Sequence, residues 1–144
     1  MKTRIMLTGF AIVLGAGVSF AQAVVQPQNA NERWIGMWQG QLDGQPGVIL
    51  TLAERDGQLD GAVVFNIVVR QPQPHVIASE PQMLRSTSID GDTLHFQVKA
   101  FQDRPELRYE LKATGDDTAH LKCLNCDGPA ESDMVRAPVR PKQD

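Results

Sequence analysis

The chain has 144 residues, 14 basic against 17 acidic, for a net charge of −3, and 42% of it is hydrophobic. No long run of one sign occurs, which argues against nucleic acid and against an anionic membrane surface, since both are recognised through clustered Lys and Arg. The length suits one small domain around a single core.

Residues 1–23 read as a secretory signal peptide. Lys2 and Arg4 give a positive start, Ile5 to Val18 is apolar, and Ala21-Gln22-Ala23 supplies the small residues of a cleavage site. The apolar run is short of the ~20 residues that span a bilayer, and no cysteine follows it to carry a lipid. The expected location is secreted or periplasmic, with cleavage near Ala23. Without Lys2 and Arg4, residues 24–144 hold 12 basic and 17 acidic residues, a net charge of −5.

Residues 24–32 are polar, contain Pro27, and read as a flexible leader before a domain spanning 33–137. The first strand runs through Trp34-Ile35-Gly36-Met37-Trp38 to Leu42, with Trp38, Gly40 and Leu42 on one side. A turn at Asp43 to Gly47 leads to a second strand, Val48 to Glu54. Asp56-Gly57 is a hairpin signal. Leu59 to Val69 reads as one long strand, apolar on both faces, in which Gly61 implies a bend or close backbone approach.

Arg70 to His75, with Pro72 and Pro74, reads as the one long irregular connection. Met83 to Ile89 and Thr93 to Ala100 follow as strands about a turn at Asp90-Gly91-Asp92. Leu107 to Ala113, Thr118 to Leu124 and Asp133 to Ala137 complete the set, and residues 138–144 read as a disordered tail. Leu94, Phe96 and Val98 alternate with His95, Gln97 and Lys99, the pattern of a half-buried antiparallel strand. Eight short strands with Gly-rich turns predict an all-β fold, a single antiparallel meander closed as a barrel.

Both cysteines sit in Cys123-Leu124-Asn125-Cys126. A thioredoxin-type pair requires a helix N-terminus at its first cysteine, where a strand is expected here. Haem attachment requires His after the second cysteine, where Asp127 stands. A zinc site requires two more ligands, and no suitable His pair exists. A local disulfide or an idle thiol pair is the expected reading. His95 and His120 are expected on the surface. No nucleophile elbow, H-E-x-x-H helix or P-loop occurs, so no catalytic residue, metal or cofactor is assigned and the expectation is not an enzyme.

Gly36-Met37-Trp38 on the first strand and Arg136 on the last resemble the G-x-W pattern of the lipocalin-like superfamily, the calycins. The resemblance implies a Trp closing the barrel floor with an Arg of the final strand packed across it, and so structural roles for Gly36, Trp38 and Arg136. A guanidinium stacked on indole contributes roughly 0.5–2 kcal/mol. The chain departs from that family in its short first turn and in lacking a second lipocalin motif. Trp34 through Gly61, Asp90 to Val98 and the terminal strand are similar to uncharacterised secreted bacterial small β-barrel proteins. The layout of Trp38, Asp56-Gly57, Leu59 and Gly61 is also similar to avidins, although no tryptophan follows Trp38 to line a biotin site.

These features give three functional expectations. The first is a binding protein carrying a small apolar molecule inside the barrel, lined by Val63, Phe65, Phe96 and Tyr109, with Asn66 or Arg85 orienting a polar end. The second is a protein-binding module, such as an exported hydrolase inhibitor, using the leader around Trp34 and the loop Arg70 to Val76. The third is an accessory barrel with a packed core and no ligand. Trp34 itself either caps the barrel or lies exposed at a contact surface.

Overall fold

A computed structural model describes residues 29–42, 44–77, 79–99, 105–128 and 130–138. The expected signal peptide, residues 24–28 of the leader and residues 139–144 of the tail lie outside the described residues. The strands are β1 (Gly36–Leu42), β2 (Gln45–Arg55), β3 (Gln58–Phe65), β4 (Ile67–Val69), β5 (His75–Ile77), β6 (Gln82–Asp90), β7 (Thr93–Val98), β8 (Leu107–Ala113), β9 (Thr118–Cys123) and β10 (Glu131–Arg136).

Eight of them close an antiparallel barrel in the order β1, β10, β9, β8, β7, β6, β3, β2, with β2 returning to β1. The meander expected from the turn spacing is therefore the fold. No helix among the described residues is long and apolar enough to cross a membrane.

Turn chemistry sets the registers. Asp56 and Gly57 both take positive φ, 53° and 77°, between the paired residues Arg55 and Gln58. That is the two-residue hairpin geometry for which Asp-Gly is suited. Gly61 is required for a different reason. A Cβ there would lie 2.0 Å from the Thr51 carbonyl oxygen of β2, so only glycine admits this approach.

Side chains then alternate between core and solvent. Trp38, Leu50, Leu52, Val63, Leu94, Phe96, Val98, Leu111 and Met134 are 0–2% exposed. Each such side chain contributes about 1.5–3 kcal/mol on burial, and together they fill the barrel from its floor upward.

Two stretches differ from the sequence expectation. The apolar run 59–69 is broken at Asn66, whose backbone N–H donates to the Gly47 carbonyl (2.8 Å) while its Nδ2 donates to the Pro46 carbonyl (3.0 Å). Asn66 thus ends β3 on the rim. The chain then leaves the barrel wall as the hairpin β4–β5, with Ile67 opposite Ile77, Val68 opposite Val76 and Val69 opposite His75. Residues 70–74 of the expected irregular connection 70–75 are the tip of this hairpin, His75 opening β5, and the hairpin leans on β2.

The second difference is Leu42. A bulge puts Gly40 opposite Val48 and Gln41 opposite Pro46, leaving Gly47 as the extra residue, and Leu42 emerges 48% exposed instead of facing the core.

The pairing of β3 with β6 is short, limited to Ala62–Met83 and Val63–Gln82. Below it the Gly61 N–H is taken by the Asp60 carboxylate (2.8 Å), and the Thr87 hydroxyl donates to the Leu59 carbonyl (2.8 Å).

Candidate functional site

The two barrel ends are built differently, and the contrast locates the site. At the floor, Trp34 and Trp38 are buried with ring centroids 6.1 Å apart, and the Trp38 Nε1–H donates to the Trp34 carbonyl (2.9 Å). Trp34 is therefore a cap and not a contact surface.

Arg136 stands opposite Trp38 on β10, its guanidinium carbon 4.5 Å from the indole centroid. Its Nε pairs with Asp117 Oδ1 (2.9 Å), and its terminal nitrogens donate to the carbonyls of Ile35, Arg33 and Asp116. The preceding residues are tied down as well. Asn29 and Asn31 donate to Glu54 Oε2 (2.7 and 2.8 Å), so residues 29–32 are held on the barrel and are not free leader. Arg136 and these side chains cover two buried indoles and close this end, while the Trp34 Nε1–H has no hydrogen-bond partner among the described residues.

The opposite end is a mouth. A cleft of about 290 Å³ lies between Gln41 and Leu42 of β1, Gly47 and Val48 of β2, Phe65 at the end of β3 with Asn66 after it, Tyr109 of β8, Leu121 of β9, and Ala130 to Ser132 at the start of β10. Its base is aromatic. Phe65 stacks on Tyr109 (5.4 Å, 25° between planes), and Tyr109 stacks on Phe96 beneath (5.4 Å, 13°). Burial pushes the Tyr109 phenol above its ordinary pKa and keeps it neutral.

Alternation along β3, β8 and β9 turns Phe65, Tyr109 and Leu121 inward, and the Gly47 bulge swings Leu42 onto the rim. Polar groups at the cleft are few: Gln41, Asn66, Ser132 and the start of β10 at Glu131. An apolar concave wall with sparse polar groups is the usual make-up of a small-molecule site.

The wall beside Tyr109 is braced. Cys123 and Cys126 form a disulfide with Cα atoms 5.7 Å apart, and Cys126 Sγ lies 3.8 Å from the Tyr109 hydroxyl. Asn125, inside the bridged turn, accepts from the Arg108 N–H (2.7 Å) and donates to the Glu106 carbonyl (3.0 Å). Its side chain continues the β8–β9 ladder past the end of β9.

Of the residues expected to bind a ligand, Phe65, Asn66 and Tyr109 meet at the mouth. Val63 and Phe96 do not line it, being packed in the core below. Arg85 is displaced altogether. Leu84 stands opposite Val98 and Thr87 opposite Phe96, so Arg85 and Ser86 form a bulge, and Arg85 points outward with its Nε 3.9 Å from Glu106 Oε1.

Sequence reasoning missed Leu42, Val48 and Ser132. Val48 and Ser132 carried a period-two signal, whereas Leu42 depended on a bulge.

The histidines lie away from the cleft. His120 on the outer face of β9 hydrogen-bonds Asp133 (2.8 Å) and stands 3.5 Å from Glu131. The Asp133 bond chiefly raises the His120 pKa, burial opposes it, and Glu131 adds to the rise. No group of His, Cys, Asp and Glu among the described residues is arranged to hold a metal ion. Ser132 at the cleft bonds the Asp133 carbonyl (3.3 Å) and no histidine.

No protein-family model, curated protein or solved structure matches the chain.

Proposed function

We propose that this protein is an exported β-barrel binding protein that takes a small, flat apolar molecule at the barrel mouth. The carrying observation is the open cleft whose base is the Phe65–Tyr109 ring stack. The packed core from Leu50 to Met134 supports a ligand at the rim in preference to the barrel interior, where the strand pattern first suggested it. Export is supported by residues 1–23 and by the Cys123–Cys126 disulfide, which suits an oxidising compartment. The reading is one of binding and not of catalysis. Burying about 200 Å² of apolar ligand surface gives roughly 5 kcal/mol, hence a Kd in the range of roughly 0.1–1 mM for a simple hydrocarbon.

Native mass spectrometry of gently purified protein tests this. A discrete extra mass lost on denaturation is expected. N-phenylnaphthylamine fluorescence should show saturable binding that Leu42→Asp weakens about ten-fold, because the rim then presents a charge to an apolar ligand. Leu42 is half exposed, so the unfolding curve of that variant should overlay the wild type. A bare chain, with probe binding absent or indifferent to Leu42→Asp, would reject the reading.

One observation favours the second reading, a protein-binding module such as an exported hydrolase inhibitor. The cross-strand pair Ile67 and Ile77 on β4–β5 is 58% and 48% exposed. If that hairpin is the contact, Ile67→Asp abolishes capture of an exported partner while leaving probe binding intact.

A further inference from the structure

The outer wall of the barrel carries a second recess. It is a hollow of about 200 Å³ on β6, β7 and β8, walled by Ser86, Ser88, His95, Gln97 and Arg108, with Phe96, Tyr109 and Leu124 as its apolar part. Strand register explains why these side chains converge. Ser88 stands opposite His95 and Gln97 opposite Arg108, while the Arg85–Ser86 bulge faces Gln97. Directly opposed residues hold their Cβ atoms about 5 Å apart, so five donor-bearing side chains share one small area.

Of the charges nearby, Arg85 is engaged with Glu106 and His120 with Asp133 and Glu131. The side chains of Ser86, Ser88, His95, Gln97 and Arg108, by contrast, have no hydrogen-bond or ion-pair partner among the described residues. His95 and Gln97 are also half-buried.

No carboxylate lines the hollow. The acids nearest by register flank Arg108 on β8: Glu110, opposite His95 on one side and Lys122 on the other, and Glu106, which pairs with Arg85. Arg108 is anchored through its backbone, which is bonded to Asn125 and Leu124 of the disulfide turn. Its guanidinium is left as a free fork of planar donors, the geometry that matches a tetrahedral oxyanion.

We propose that this recess binds a tetrahedral oxyanion, a phosphate or sulfate group, held by Arg108 with Ser86, Ser88 and Gln97 completing its hydrogen bonds. The hollow equals about six to seven water volumes at ~30 Å³ each, room for the anion with a few waters or with a small organic arm on Leu124. Tyr109 borders both the mouth and this recess, but their other polar lining residues are distinct, so the proposal does not rest on the ligand assigned to the mouth.

The test is a two-dimensional NMR titration of the purified protein with inorganic phosphate, against sodium chloride at matched ionic strength. Saturable shifts confined to the amides of Ser86, Ser88, His95, Gln97 and Arg108 are expected, with a millimolar Kd. Arg108→Gln should weaken binding about ten-fold, and Arg108→Lys, which keeps the charge without the fork, about three-fold. Ser88→Ala, a second variant on another strand, should weaken it about two-fold. Phenyl phosphate is a second arm: tighter binding than phosphate marks an ester with its organic part on Leu124, and equal binding marks the free anion, either result supporting the site. Shifts that fail to saturate, that chloride reproduces, or that persist unchanged in folded Arg108→Gln would overturn the proposal.

Discussion

The floor and the mouth of this barrel are made from the same alternating strands, yet they are finished in opposite ways. At the floor a bulky indole pair is buried and one arginine spends its donors on backbone carbonyls and Asp117, beside a polar hollow of about 560 Å³ bordered by Asn29, Glu32, Arg33 and Asp116. At the mouth the rings stop one layer short of the rim, and glycine and proline at Pro46-Gly47 loosen the wall enough to leave a cleft. The floor buries its rings, and the mouth leaves apolar wall within reach of solvent.

The sharpest way to break that contrast is Trp38→Ala. Losing a large buried ring should cost roughly 3–5 kcal/mol, a large share of the 5–15 kcal/mol typical of a domain. Urea unfolding measures it, and a wild-type-like midpoint would remove the floor's claim to hold the fold. At the mouth, replacing both cysteines by serine opens a loop with only two residues between its ends, worth roughly 2 kcal/mol on the loop-length formula. The Asn125 bonds should keep the turn in place, so the variant should stay folded, with weaker probe binding at the wall it braces.

The smallest effect belongs to neither end. His120 has its pKa raised in the folded state by Asp133 and Glu131, so its stabilisation is full below its unfolded pKa near 6.5 and is lost as pH rises through the higher folded value. The pair is solvent-exposed, which limits the effect to a few tenths of a kcal/mol. His120→Asn should flatten that part of the stability–pH curve while leaving both ends of the barrel as they are.

Much of the wall was legible from residue alternation, because a period of two with Gly-rich turns leaves few arrangements that bury one face. Leu94, Phe96 and Val98, or Leu107 to Ala113, announce their facing directly. What resisted was register. Leu42 and Arg85 each follow the alternation rule up to a bulge, and a bulge is decided by the partner strand. The end of β3 at Asn66 was equally hidden, since Val68 and Val69 continue the apolar run and only the bonds to Pro46 and Gly47 halt it. The mouth was therefore read in part, through Phe65, Asn66 and Tyr109, while its rim was not.

The short contact between β3 and β6 makes the cylinder a staved cask with one loose joint. Two residue pairs hold the upper part of that joint, and below them Asp60 and Thr87 side chains satisfy backbone groups that a neighbouring strand would otherwise engage. Local opening follows the line of fewest backbone bonds. The joint with the fewest paired residues thus lies on the side of Phe65 and the β4–β5 hairpin, while the nearly as short β1–β10 joint of three pairs is reinforced by Arg136 stacked on Trp38.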